Sequence, residues 1–356
     1  MDYYFKGWGM MNKFRYVEKK ILCKYDLNEE FFSELGIKVY DMIPLRKVFI
    51  LFTDKGKKVL KIVNSKIERV EFIDKILEYI QLQYPQVLNY CRNSKGQIIT
   101  EWREHDYVLL DMIEGREVTF TNPIEVSLCA QAIANMHNSS KGIESILSKE
   151  EIDSNLDKGL ESEFEKDLDL MKDLKSMVND FKFKNNFDRL FLENVDKEID
   201  DINKSILLLK SSKYDVIYKN PDKKVLCHND LAHHNFILDE KTVNIIDFDY
   251  CNINTRIIDI YNFTNKVLKT MMYDGEIIKN IVEGYNLVEP LDKDELDILY
   301  LLINYPKDFI SISKNYYLKQ KQWEEEVFES RLKEKISMDY FRGELIKNYY
   351  QLIKDI

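Results

Sequence analysis

Apolar positions in this chain recur at two periods, and each change of period marks a new element. Phe14, Val17, Ile21 and Tyr25 stand at helical spacing, so residues 12–35 read as helix, with Leu27–Leu35 a short second one. Val48–Phe52 and Lys58–Val63 are short apolar-rich runs around Thr53-Asp54-Lys55-Gly56, which predicts a hairpin. Residues 66–82 return to the helical period, with Val70, Ile73, Leu77 and Ile80 on one face. Tyr107–Gly115 reads as a buried strand leaving into a glycine turn. Asn122-Pro123-Ile124-Glu125 is a helix start with a cause for each residue: a capping amide, a proline at the first position and a glutamate at the third. Val126, Cys129, Ala130, Ile133 and Met136 then face a core, and His137 reads as a cap on the helix C-terminus. Residues 150–210 are helical and charged. Their core-facing stripes are Leu160, Phe164, Leu168, Met171 and Val195, Ile199, Ile202, Ile206, Leu209. Arg256–Tyr261 opens a further helix, Asp292-Lys293-Asp294-Glu295 caps another, and residues 306–356 read as long helices.

Between these helical stretches lies the part of the chain with the densest chemistry. Val225–Cys227, Phe236–Leu238 and Val243–Ile246 read as strands, and Asp239-Glu240-Lys241 as the turn between the last two. In that hairpin the residue entering one strand and the residue leaving the other share an end, so Asn235 and Asp247 become neighbours. Asp230 lies in the loop that feeds the same end. Oxygen ligands of this kind suit magnesium, which keeps part of its water shell and is completed by substrate phosphates. Asp230 is then available as a base or orienting group for a hydroxyl. His228, His233 and His234, with Cys227 and Cys251 nearby, offer zinc-ligating types, but no spacing typical of zinc occurs and hard oxygen groups outnumber them. His228 reads instead as a hydrogen-bonding support of the loop.

His228-x-Asp230-x4-Asn235 followed by Ile246-Asp247-Phe248 resembles the catalytic and metal-binding loops of the protein-kinase-like fold. Asn229 in place of the usual arginine, and Asp249 in place of the last glycine, point to the aminoglycoside phosphotransferase and choline kinase branch. With Tyr250-Cys251 and Arg256-Ile257-Ile258-Asp259, the stretch is similar to the spore-coat protein S (CotS) family of endospore formers, strongly over residues 225–263 and diffusely elsewhere.

The resemblance implies an α+β, protein-kinase-like two-lobed fold. Residues 1–111 would form a small N-terminal nucleotide-binding lobe with an antiparallel sheet, and residues 112–356 a larger, mainly helical catalytic and substrate lobe. By the same resemblance Lys61 holds nucleotide phosphates, backbone groups of Asp111 and Ile113 hold the base, Asn235 and Asp247 hold Mg2+, and Asp230 is the catalytic carboxylate. Asp259 is expected to tie its helix to the catalytic loop. A glutamate of helix 66–82 should pair with Lys61; Glu68, Glu71 and Glu78 are candidates, yet the family register puts Lys75 nearest, and the pairing stays open. Lys57 and Lys58 read as surface lysines. No GxGxxG precedes the first hairpin, since Leu35–Tyr40 holds a single glycine, so a backbone cradle for phosphates is missing.

Composition narrows the partners. At 356 residues and 45% hydrophobic, the chain can fill two cores. A formal charge of -10 and a pI near 5.3 leave no basic surface for nucleic acid or anionic lipid. Five cysteines without CxxC spacing make a poor disulfide framework, and neither an export signal nor a membrane-length apolar run occurs, so a cytoplasmic protein is expected. Two functional readings follow. One is an ATP- or GTP- and magnesium-dependent phosphotransferase acting on a hydroxyl of a small molecule, sugar-like or cationic. The other is a kinase-like structural protein with little or no catalysis, incorporated in the bacterial spore coat beside other coat proteins.

Overall fold

The computed structural model describes residues 25–45 and 48–354. The helix expected over 12–24, and Cys23, lie outside the described residues. The chain falls into two compact units, Met1–Glu78 with Leu88–Glu114 and Tyr79–Val87 with Gly115–Ile356.

The first unit is built on an antiparallel sheet. A short helix α1 (Glu29–Glu34) is capped by Asn28, whose side chain accepts the Phe31 N–H at 3.1 Å. Strands β1 (Val39–Leu45), β2 (Val48–Thr53) and β3 (Gly56–Ile62) follow, and then helix α2 (Ile67–Gln81), which begins in this unit. β4 (Tyr90–Cys91), β5 (Ile99–Trp102) and β6 (His105–Asp111) complete a sheet of order β1-β2-β3-β6-β4, with β5 also paired to β6. β1, β4 and β5 are additions to the sequence reading. Their sequences are short or interrupted by polar residues, and pairing with β2 and β6 carries them. Phe49 and Leu51 of β2, Leu60 and Ile62 of β3 and Tyr107 and Leu109 of β6 point to one face, where Phe31 and Leu35 close the core. The two-residue side-chain period thus selects the most buried residues of β2 and β3, while in β6 Tyr107, Val108, Leu109 and Leu110 are buried on both faces.

The second unit holds the small strands and the helices. β7 (Arg116–Glu117) is followed by α3 (Pro123–Ser139), α4 (Lys149–Asn155), α5 (Leu160–Asn179), α6 (Asn186–Ser211) and α7 (Tyr214–Lys219). Then come β8 (Lys224–Cys227), β9 (Phe236–Asp239), β10 (Thr242–Ile245) and β11 (Asn252–Thr255). The helices α8 (Arg256–Thr270), α9 (Glu276–Asn286), α10 (Lys293–Asn304), α11 (Lys307–Tyr317) and α12 (Glu325–Leu352) finish the chain. The sheets are β10-β9-β7 and β11-β8. Asp292 and Glu295 form a reciprocal capping box on α10, as the sequence predicts.

Two expectations about α3 need correction. Asn122 does cap it, accepting the Ile124 N–H at 3.1 Å, but Glu125 does not reach back to the cap backbone. Its carboxylate is buried and takes both Arg116 guanidinium nitrogens, at 2.8 and 3.0 Å, together with the Thr119 N–H. His137 is no C-terminal cap either. It is 1% exposed, and both ring nitrogens are spent on other helices, because the helix end is buried and its last carbonyls are met by Ser140 instead.

Candidate active site

Local pairing brings the loop residues together. β9 and β10 form an antiparallel hairpin with Ile245 opposite Phe236, and the Ile246 N–H donates to the Asn235 carbonyl at 3.0 Å. Asn235 and Asp247 therefore flank one end of the hairpin. Asn235 is 2% exposed; its Nδ2 donates to the Asp230 carbonyl at 2.7 Å and, at 3.3 Å, to Asp230 Oδ2. With the amide nitrogen turned to Asp230, Oδ1 is the atom it can offer a cation. Asp247 has φ +65°, in the left-handed region that a non-glycine residue rarely adopts. Asn229, next to Asp230, is the loop's other such residue, at φ +64°, and its side chain donates to the Tyr250 carbonyl at 2.9 Å.

His228 links the two loops. Its Nδ1 accepts the Asp230 N–H at 3.2 Å, so the ring hydrogen sits on Nε2, which donates to the Ile246 carbonyl at 2.9 Å. Burial holds the imidazole below its ordinary pKa and keeps it neutral, the form these two bonds require. The backbone around it is gripped by α8. Asp259 Oδ2 accepts the His228 N–H at 2.7 Å and Oδ1 the Asn229 N–H at 2.8 Å. His137 Nε2 donates to the same carboxylate at 3.1 Å, while Nδ1 lies 2.9 Å from the Tyr285 hydroxyl. Burial pushes the Asp259 carboxyl up, but these donors outweigh it and hold it below the usual carboxylate range.

Asp230 itself is half-buried and paired with Lys266 of α8, Nζ to Oδ1 at 2.5 Å. Burial raises its carboxyl, the Lys266 ammonium more than offsets that, and the pKa ends below normal. Lys266 was not legible as a partner from motif reading. The usable signal was periodicity: it stands about two helical turns after Asp259, on the face already facing the loop.

His228, His233, His234, Cys227 and Cys251 do not come together as one cluster of ligand atoms among the described residues. His233 and His234 are exposed, with rings 5.2 Å apart at 77°. Among the described residues, His137, Cys227 and Asp259 do cluster. Asp259 and His137 are committed as above, and the Cys227 thiol, pushed well up by burial, donates to the Thr255 carbonyl at 3.4 Å.

In the first unit, Lys61 lies half-buried on β3 opposite Val108 of β6. Glu78 of α2 engages Arg92 at 2.5 Å, while Glu68 and Glu71 are exposed. A carboxylate the sequence reading passed over, Asp74, is buried on α2 and meets Arg92 at 2.7 Å. Lys58 is not a surface lysine: its side chain is 12% exposed and bonds Asp111, which also accepts from Asn89 Nδ2 at 2.7 Å. The alternation of β3 places it beside the last residue of β6. The Asp111 N–H donates to the Asn89 carbonyl at 3.1 Å. Ile113 follows just beyond β6 and is half-buried.

Residues 112–281 match the choline/ethanolamine kinase family model. The sequence is 23% identical to spore coat protein S of Bacillus subtilis (strain 168), over 87% of this chain and 89% of that protein. The fold matches an aminoglycoside phosphotransferase from Alicyclobacillus acidocaldarius subsp. acidocaldarius DSM 446, with TM-score 0.81 and 14% identity, over 93% of this chain and 97% of the other. A spectinomycin phosphotransferase in complex with ADP and spectinomycin matches with TM-score 0.61 and 15% identity, over 88% and 97%. The chain thus has the kinase-like fold of the aminoglycoside phosphotransferases, a segment that matches the choline/ethanolamine kinase family model, and sequence similarity to spore coat protein S over most of its length.

Proposed function

We propose that the protein transfers the terminal phosphoryl group of ATP or GTP to a hydroxyl of a small molecule or sugar. The observation that carries this reading is the convergence of Asp230, Asn235 and Asp247 at one end of the β9–β10 hairpin, tied together through His228. Asp230 orients or deprotonates the acceptor hydroxyl. Asn235 Oδ1 and the Asp247 carboxylate are hard oxygen donors that fit Mg2+, which when bound would neutralise phosphate charge. Lys61 supplies a further positive charge to the phosphates, and the Asp111 carbonyl with the Ile113 backbone holds the base. In this reading residues 1–111 serve the nucleotide and residues 112–356 the acceptor and the chemistry. An acidic chain favours a cationic or neutral acceptor over an anionic one.

Similarity to a spore coat protein favours a second reading, a coat component with little or no catalysis. An enzyme made in the cytoplasm and incorporated in the coat would satisfy both. The deciding experiment is a thermal-shift titration with ATP and GTP, with and without magnesium, on the parent protein and on Asp247→Ala. A nucleotide that binds only the folded state adds about 2.7 kcal/mol of stability at a hundredfold excess over Kd. A magnesium-dependent shift that Asp247→Ala loses, and that Asp230→Ala keeps while turnover stops, is the expected result. No shift with either nucleotide would leave the coat reading.

A further inference from the structure

The loop that carries Asp230 holds no lysine or arginine. From Asn229 to Phe236 it reads Asn-Asp-Leu-Ala-His-His-Asn-Phe, and both histidines are exposed. The positive charge at Asp230 comes from far along the chain: Lys266 places Nζ 2.5 Å from Oδ1, with the two side chains 32% and 33% exposed. The helix that brings Lys266 is the one whose Asp259 grips the His228 and Asn229 N–H groups. α8 therefore holds the loop twice, by the backbone just before Asp230 and by the Asp230 carboxylate itself. Among the described residues, the other carboxylate oxygen, Oδ2, has a single long contact of 3.3 Å, from Asn235 Nδ2, whose shorter bond goes to the Asp230 carbonyl.

We propose that Lys266 is a positioning residue for phosphoryl transfer, fixing the rotamer of Asp230 through Oδ1 so that Oδ2 is presented to the acceptor hydroxyl. The inference rests on the phosphotransferase reading above. An Asp–Lys pair this accessible adds little to stability, because solvent screens it and two side chains lose freedom in making it. Orientation is different, since a displacement of about 1 Å in a reacting group can cost about 10²-fold in rate. Of the functional group's two oxygens one is occupied and one is left for chemistry, and that division depends on Lys266.

The test uses the full chain, magnesium and ATP, with water as the acceptor and ADP release as the readout. Lys266→Met should fold with an unchanged melting temperature and bind ATP with a KM within about twofold of the parent, while kcat falls by about 10- to 100-fold. Lys266→Arg should recover most of the loss, because a guanidinium can still hold Oδ1. Lys266→Met combined with Asp230→Asn should be no slower than Asp230→Asn alone, the signature of a residue acting through another. If Lys266→Met keeps the parental kcat while Asp230→Asn is slow, the inference falls and the phosphotransferase reading stands. A rise in KM with unchanged kcat, or a double variant slower than Asp230→Asn, would also overturn it by giving Lys266 a separate role. A parent protein that neither binds nor hydrolyses magnesium ATP would overturn both.

Discussion

His228 hands its Nε2 hydrogen to the carbonyl of Ile246 across 2.9 Å, and in doing so joins the loop that carries Asp230 to the segment just after β10 that carries Asp247. The same ring accepts the Asp230 N–H and stacks at a tilt on Phe248, with centroids 4.7 Å apart. One buried neutral imidazole thus sets the spacing of two carboxylates.

His228→Ala removes both bonds and orphans a half-buried carbonyl and a half-buried N–H, each costing up to about 1–3 kcal/mol. Chemical denaturation should show that loss. A thermal-shift titration with magnesium ATP should show weaker nucleotide stabilisation in this variant even where it remains folded, because Ile246 no longer holds Asp247 in register with Asn235. Undiminished nucleotide stabilisation would mean that the hairpin alone positions the pair.

Two buried glutamates should give the stability curve opposite slopes. Hydrogen bonds from Arg116 hold the Glu125 carboxyl down at about 2, against about 4.3 for an unperturbed glutamate. The unfolded chain binds that proton first as pH falls, so the contribution of Glu125 is present above about pH 4.3 and lost toward pH 2. Burial pushes Glu198 up to about 7, with the Lys197 ammonium opposing. Here the unfolded chain releases the proton first, so stability declines as pH rises from about 4.3 to 7. Denaturant midpoints measured from pH 3 to 8 should lose the acid-side slope in Glu125→Gln. In Glu198→Gln the decline between pH 4.3 and 7 should vanish.

Gly115 has φ +136°, and a Cβ built there would lie 2.5 Å from the Leu238 carbonyl oxygen and 2.9 Å from Ile237 Cγ2. β7 pairs with β9 just beside it, Arg116 opposite Leu238. Gly115→Ala must therefore strain the backbone and push the strands apart, at a cost of about 1–3 kcal/mol or more. Gly56, at φ +87° with nothing within 4 Å of its added Cβ, is the control, since only the backbone penalty applies there. Equal losses on denaturation for the two alanine variants would count against a steric role for Gly115.

Local rules carried most of the elements and the heart of the site. The helical stripe of α2, the Asn122 and Asp292 caps and the β9–β10 hairpin follow from periodicity and short-range hydrogen bonding, which depend on residues a few positions apart. The hairpin alone brings Asn235 beside Asp247, so that neighbourhood was readable without a fold. Side chains whose partners lie far away in the chain were not. His137 reads as a cap and is a donor to Asp259; Glu125 reads as the third residue of a helix start and is also the anchor for Arg116; Lys58 reads as a surface lysine and is bonded to Asp111. Lys266 carried no motif at all until α8 was packed against the loop. The division has a physical origin. Backbone periodicity is a property of neighbouring residues, whereas the partner of a charged side chain is decided by which helix face tertiary packing sets opposite it.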